Sequence, residues 1–209
     1  WECFPEAILD YADIEILAAK RWPTILSRAE FERVTQLADF PGFLRQYVRP
    51  DGMLHVYANG EILYRLRGVC AKVSVRWEFE APAGAGDTHF SVMRGSRADL
   101  VIRQGAAQGF QPTLYIEPRT AEASANFARV LEAAVLEVSA TYPGVGVQRD
   151  GDSWCVTVPA AYHVGHEAHF GQVAEKYLGF VKGGGMPAWE VPNMLVKVHT
   201  LMEAYKKSR

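Results

Sequence analysis

From Val69 to Glu80 apolar and polar residues alternate without a break. Val69, Ala71, Val73, Val75, Trp77 and Phe79 fall on one side, and Cys70, Lys72, Ser74, Arg76, Glu78 and Glu80 on the other. A period of two belongs to a pleated strand with one apolar face, because a helix scatters such residues around its axis. A strand this long needs neighbours to pair with and an apolar layer to cover it. Candidate neighbours lie on both sides in sequence. Met53 to Ala58 and Glu61 to Arg67 flank Asn59-Gly60, a dipeptide that favours a type I′ hairpin turn. Thr88 to Arg94 and Arg97 to Gln104 form a second hairpin about Gly95-Ser96, and Thr113 to Glu117 adds a strand. Gly144 to Gln148 and Trp154 to Val158 flank the Asp150-Gly151-Asp152 turn. Ile14 to Ala19 reads as a strand that ends before the Trp22-Pro23 break.

Helical signals come mostly later. Ser27 with Glu30 three residues on makes a capping box for a short helix through about Thr35, followed by an aromatic-anchored loop from Asp39 to Phe43. Ala121 to Val138 places Phe127, Leu131, Ala134 and Val138 on one stripe. Helices are expected from about Gly165 to Val181 and from Pro192 to Lys206, separated by Gly183-Gly184-Gly185. Strands first and helices afterwards predict an α+β fold: an open, largely antiparallel or mixed β-sheet with helices packed on one face, the other face free or oligomeric. The 209 residues, 49% of them hydrophobic, suffice for a core, and no repeat or linker divides them. A single domain over 1–209 is therefore expected.

The second face of the long strand carries Lys72, Ser74, Arg76, Glu78 and Glu80, with Arg65 and Arg67 on the neighbouring strand. Alternating signs at cross-strand distance can pair on a wet face. With Tyr57 and Tyr64 nearby they also suit a polar contact between identical subunits.

Composition excludes several partners. The net charge of -2 supplies no basic face for nucleic acid, and the longest apolar segments, such as Val191 to Val198, fall far short of a membrane span. No signal-peptide pattern opens the chain, and its cysteine usage points to a reducing compartment, so a cytoplasmic setting is expected. Cys3, Cys70 and Cys155 form neither a disulfide framework nor a metal clip, and Cys70 and Cys155 are expected as small buried residues. The opening Trp1-Glu2-Cys3-Phe4-Pro5 puts large apolar residues at the terminus, which reads as a cut through a longer polypeptide.

The sequence contains no GxGxxG, no GxxxxGK[ST] and no GxSxG. Its densest polar cluster runs from Tyr162 to His169. On a helix starting near Gly165, His166 and His169 are i, i+3 neighbours, and His166 shares a stripe with Phe170, Val173 and Tyr177. His166-Glu167-Ala168-His169 is one residue too short for the HExxH zinc spacing, so no metal is expected. Two readings remain. A histidine can simply cap the apolar stripe of its helix. Alternatively, a helix N-terminus disfavours the imidazolium, leaving neutral rings that grip hydroxyls or relay a proton. The loop from Ala83 to His89, with Gly84 and Gly86, is either a binding lip or a plain connection. The candidate substrate-binding residues are His89, Tyr162, His163, His166 and His169, with no catalytic, cofactor-binding or metal residue assigned.

Phe90 to Leu100 resembles the strand–"G-t-x-G-x-L"–strand signature in the C-terminal domain of the Gfo/Idh/MocA oxidoreductases, with Ala98 at the usual second glycine. Val56-Tyr57-Ala58-Asn59-Gly60-Glu61, Gly86 to Ser91, Gly165 to Phe170 and Trp189 to Leu195 resemble the putative oxidoreductase C-terminal domains of that superfamily. The resemblance spans essentially the whole chain. It implies a parent enzyme whose N-terminal Rossmann domain binds NAD or NADP and supplies a catalytic lysine. It also implies that the family's catalytic aspartate and histidine, an Asp-x-x-x-His pair on a helix near the domain junction, lie just before Trp1, and neither role is carried over onto this chain. It further implies an open mixed sheet whose free face builds homo-oligomers, and substrates that are sugars, polyols or their derivatives. The expected function is the substrate-binding and oligomerisation domain of such an NAD(P)-dependent oxidoreductase. The alternatives are a domain of an NAD-dependent glycosidase of the same superfamily, and a non-catalytic binding or scaffold module.

Overall fold

The computed structural model describes residues 4, 7–119 and 124–209. They gather into two compact units, Trp1–Glu80 with Gln172–Arg209, and Ala81–Gly171. The first holds an open antiparallel sheet of three strands in the order β1 (Ile14–Leu26), β2 (Leu54–Leu66) and β3 (Val69–Val75). The second holds five antiparallel strands in the order β4 (His89–Arg94), β5 (Ala98–Gln104), β6 (Thr113–Pro118), β8 (Ser153–Thr157) and β7 (Gly146–Asp150). The expected α+β class and open antiparallel pairing are observed, with the strands divided between two sheets.

The Asn59-Gly60 hairpin does not form. Both residues lie inside β2, where Asn59 pairs with Trp22 and Gly60 faces Arg21 on one side and Val75 on the other. The reversal comes later, at Arg67-Gly68, whose φ values of 47° and 82° are the two positive angles a type I′ turn requires. Tertiary bonding overrides the local preference at Asn59, which is 5% exposed. Its amide donates to the Trp22 carbonyl at 3.2 Å and to Thr24 Oγ1 at 2.9 Å, while its Oδ1 accepts the Trp77 N–H at 2.7 Å. The same contacts explain why β1 runs on through Pro23. That residue brings no N–H, the β1–β2 register shifts between Trp22 and Thr24, and the Asn59 side chain bonds the strand across the irregularity.

The alternating stretch also ends earlier than expected, at Val75. Trp77 and Phe79 leave the ladder and pack against the buried cluster of Leu26, Phe31, Phe40 and Leu54. β3 is an edge strand exposed along most of its length, so Cys70 is exposed and not the buried thiol expected. Cys155 is half-buried in β8, where burial pushes its thiol up. Charges on this sheet pair across strands as their alternation suggests. Glu61 binds both Lys72 at 3.0 Å and Lys20 at 3.3 Å, and the Lys72 bond leads in holding its carboxyl below the usual range. Arg65 pairs with Glu15 and Arg67 with Asp13.

α1 (Arg28–Thr35) starts on the expected capping box: Glu30 N–H donates to Ser27 Oγ, and Ser27 N–H donates to Glu30 Oε2 at 2.8 Å. Ser27→Ala is expected to cost about 1 kcal/mol, read as a lower urea midpoint at constant slope.

In the second unit the Gly95 turn forms as expected. A Cβ there would sit 2.7 Å from the Ala98 carbonyl oxygen, so the β4–β5 connection needs glycine. α2 (Ser124–Thr141) follows β6, and its expected start at Ala121 lies outside the described residues. Val101, Ile116 and Leu131 are buried here. α4 (Glu190–Lys207) packs on β1 and buries Asn193, Val196 and Ala204. Asn193 accepts the Leu9 N–H at 3.0 Å and donates to the Ala7 carbonyl at 2.8 Å. α3 (Gly165–Lys182) buries none of its residues.

Candidate functional site

The histidine segment takes the local form its sequence suggests. Tyr162 closes a one-turn 3-10 helix, donates its hydroxyl to the Pro143 carbonyl at 3.3 Å, and meets Tyr142 edge-on at 6.2 Å. His163 follows, bonding its N–H to the Ala160 carbonyl, and Gly165, at φ 80°, opens α3. His166 lies 4.8 Å from Phe170 one turn on, a contact that fixes the ring without using either nitrogen. His163, His166 and His169 are exposed, as is His89, which opens β4 opposite Gln104. No three His, Cys, Asp or Glu side chains among the described residues come together as a metal site. The Tyr162–His169 segment is thus an accessible group of imidazoles beside an aromatic pair. The structure records no bond joining His89 to it among the described residues.

Sequence reasoning missed a cavity in the unit Trp1–Glu80 with Gln172–Arg209. The cavity, of 790 Å³, is floored by Leu26, Phe31, Leu54 and Trp77. On its wall the Arg21 guanidinium stands 5.0 Å from the Tyr57 ring and 4.6 Å from the Tyr205 ring. Arg209 donates to the Tyr205 hydroxyl at 3.0 Å, and this bond, followed by Arg21, holds the phenol below its usual range. Arg49, His55, Tyr47 and Thr35 add further charged and polar groups to the lining, and no Asp or Glu takes part in it. Neither Arg21 nor Arg49 pairs with a carboxylate among the described residues.

No single stretch carries this pocket. Arg21 comes from β1, Tyr57 from β2 and Tyr205 from α4, so only strand register and helix docking assemble it. Tyr57, expected beside an oligomeric face, stands in its wall. Asp51-Gly52-Met53-Leu54-His55 does have the Asp-x-x-x-His spacing of the resembled family. It lies on a turn and the start of β2, however, and Asp51 is used by the turn, accepting the Met53 N–H at 3.0 Å. It is therefore not the helical pair that spacing denotes.

Fold and surface together define an α+β chain with open antiparallel sheets, an exposed imidazole segment and an arginine- and tyrosine-lined cavity. The chain belongs to the putative oxidoreductase C-terminal domain family, whose model matches residues 1–209. It is similar to the crystal structure of a putative oxidoreductase from Parabacteroides merdae, at 50% identity and a TM-score of 0.95. That similarity covers 100% of this chain and 48% of the other, so the present chain spans about half of its length. No curated protein sequence matches. Among the described residues no helix is long and apolar enough to cross a membrane.

Proposed function

We propose that this chain is the substrate-binding and oligomerisation domain of a cytoplasmic, NAD(P)-dependent oxidoreductase of the Gfo/Idh/MocA type, acting on a sugar, polyol or derivative. The observation that carries this is the whole-chain family match combined with 48% coverage of a twofold longer oxidoreductase. The extra length of that relative is room for a Rossmann domain. On this reading dinucleotide binding falls to that domain, which the antiparallel pairing of both sheets here supports.

Two surface features support the reading. Phe170, Val173, Tyr177 and Val181 on α3 are all more than half exposed, an apolar stripe suited to a cover from the same polypeptide. Exposed imidazole rings offer paired nitrogens that hydrogen-bond hydroxyl groups, which suits a polyol. The polar sheet face, with its cross-strand ion pairs, is the surface through which copies would associate.

In the full-length enzyme, His166→Ala and His169→Ala should each raise KM or lower kcat about threefold to tenfold, the worth of one lost hydrogen bond. Steady-state kinetics with a panel of sugars and polyols makes the check. Unchanged kinetics accompanied by a lower Tm would assign both histidines to packing.

A further inference from the structure

The cavity on the first unit has the chemistry of a binding site, and that chemistry differs from what the imidazole cluster offers. Its volume of 790 Å³ suits a small organic molecule, and its floor of Trp77, Phe31, Leu26 and Leu54 is apolar. Two guanidiniums line it with no carboxylate in the lining, although the chain as a whole carries a net charge of -2. A local excess of positive charge over an apolar floor attracts an anion and screens it poorly from its partners. Arg21 is also preorganised. Flanked by Tyr57 and Tyr205, its planar fork is held in place before a ligand arrives. His55, half-buried in the same wall, adds a further ring nitrogen.

We propose that this cavity binds a small organic anion, its flat apolar body on Trp77 and Phe31 and its carboxylate or phosphate against Arg21 and Arg49. The site lies within one unit of the chain and stands independently of the oxidoreductase reading.

Calorimetric titration of the intact polypeptide with 1-naphthoate, 1-naphthyl phosphate and the uncharged 1-naphthalenemethanol tests it. At least one anion should bind saturably at one site per chain, and the alcohol about tenfold or more weaker. The stronger of the two anions identifies the head group. Arg21→Met and Arg49→Met should each weaken the anion about tenfold. Arg49 is exposed, so its replacement keeps the test valid should the Arg21 variant fail to fold. Equal affinity for alcohol and anions would overturn the proposal. So would indifference to the Arg49 change, or no binding by either anion because another part of the polypeptide fills the cavity.

Discussion

Replacing Asn59 by alanine is expected to destabilise the first unit by about 2–4 kcal/mol, a large effect for one side chain on a strand. The carboxamide is buried and makes three bonds, to the Trp22 carbonyl, Thr24 Oγ1 and the Trp77 N–H. Alanine leaves all three partners without this group, and each partly buried polar atom then carries its own desolvation cost of about 1–3 kcal/mol. Water entering the gap would reduce the total, which is why the expected figure falls below the sum. Asn59→Asp sharpens the test. It keeps an acceptor for Trp77 but turns both donors into an oxygen facing the Trp22 carbonyl, so it should be as damaging as alanine. Urea denaturation of the three proteins reads the result. A loss below about 1 kcal/mol for alanine would show that the strand irregularity holds without the side chain.

The second large effect is expected in the buried cluster. Phe40 is 5% exposed and meets Phe31 edge-on at 5.1 Å, beside Leu26 and Leu54. Phe40→Ala should cost about 3–5 kcal/mol, combining lost transfer energy with the cavity left behind. Three residues on, Phe43 is 73% exposed, and Phe43→Ala should change stability by no more than about 0.5 kcal/mol. The pair makes an internal control: same residue type, same loop, opposite burial. Similar midpoints for the two variants would mean that the loop does not anchor through Phe40.

That contrast marks how far the sequence can be read. The loop from Asp39 to Phe43 was recognisable, but nothing local distinguishes the ring that is buried from the one that is not. Where a signal is self-contained it holds: Ser27 and Glu30 cap α1 with their own atoms, and the Gly95 turn is forced by a clash three residues away. Where the deciding partner is distant it fails. Asn59-Gly60 has strong turn chemistry, yet bonds to residues 18 to 37 positions away keep it in an extended strand. Period-two alternation located β3 and then overran it, because Trp77 finds Asn59 and the buried cluster instead of a strand partner. The arginine-lined cavity is the extreme case. The histidine cluster was visible because it is contiguous, whereas Arg21 and Tyr205 meet only after β1 and α4 have packed.

Among the described α-helices, α3 is the one the rest of the chain covers least. An isolated helix of 18 residues is marginal in water, and Gly171 and Gly179 each weaken its interior by about 1 kcal/mol relative to alanine. It buries none of its side chains, so little within the chain offsets that weakness. A surface docked on that stripe would therefore stabilise the helix itself as well as bury its apolar side chains.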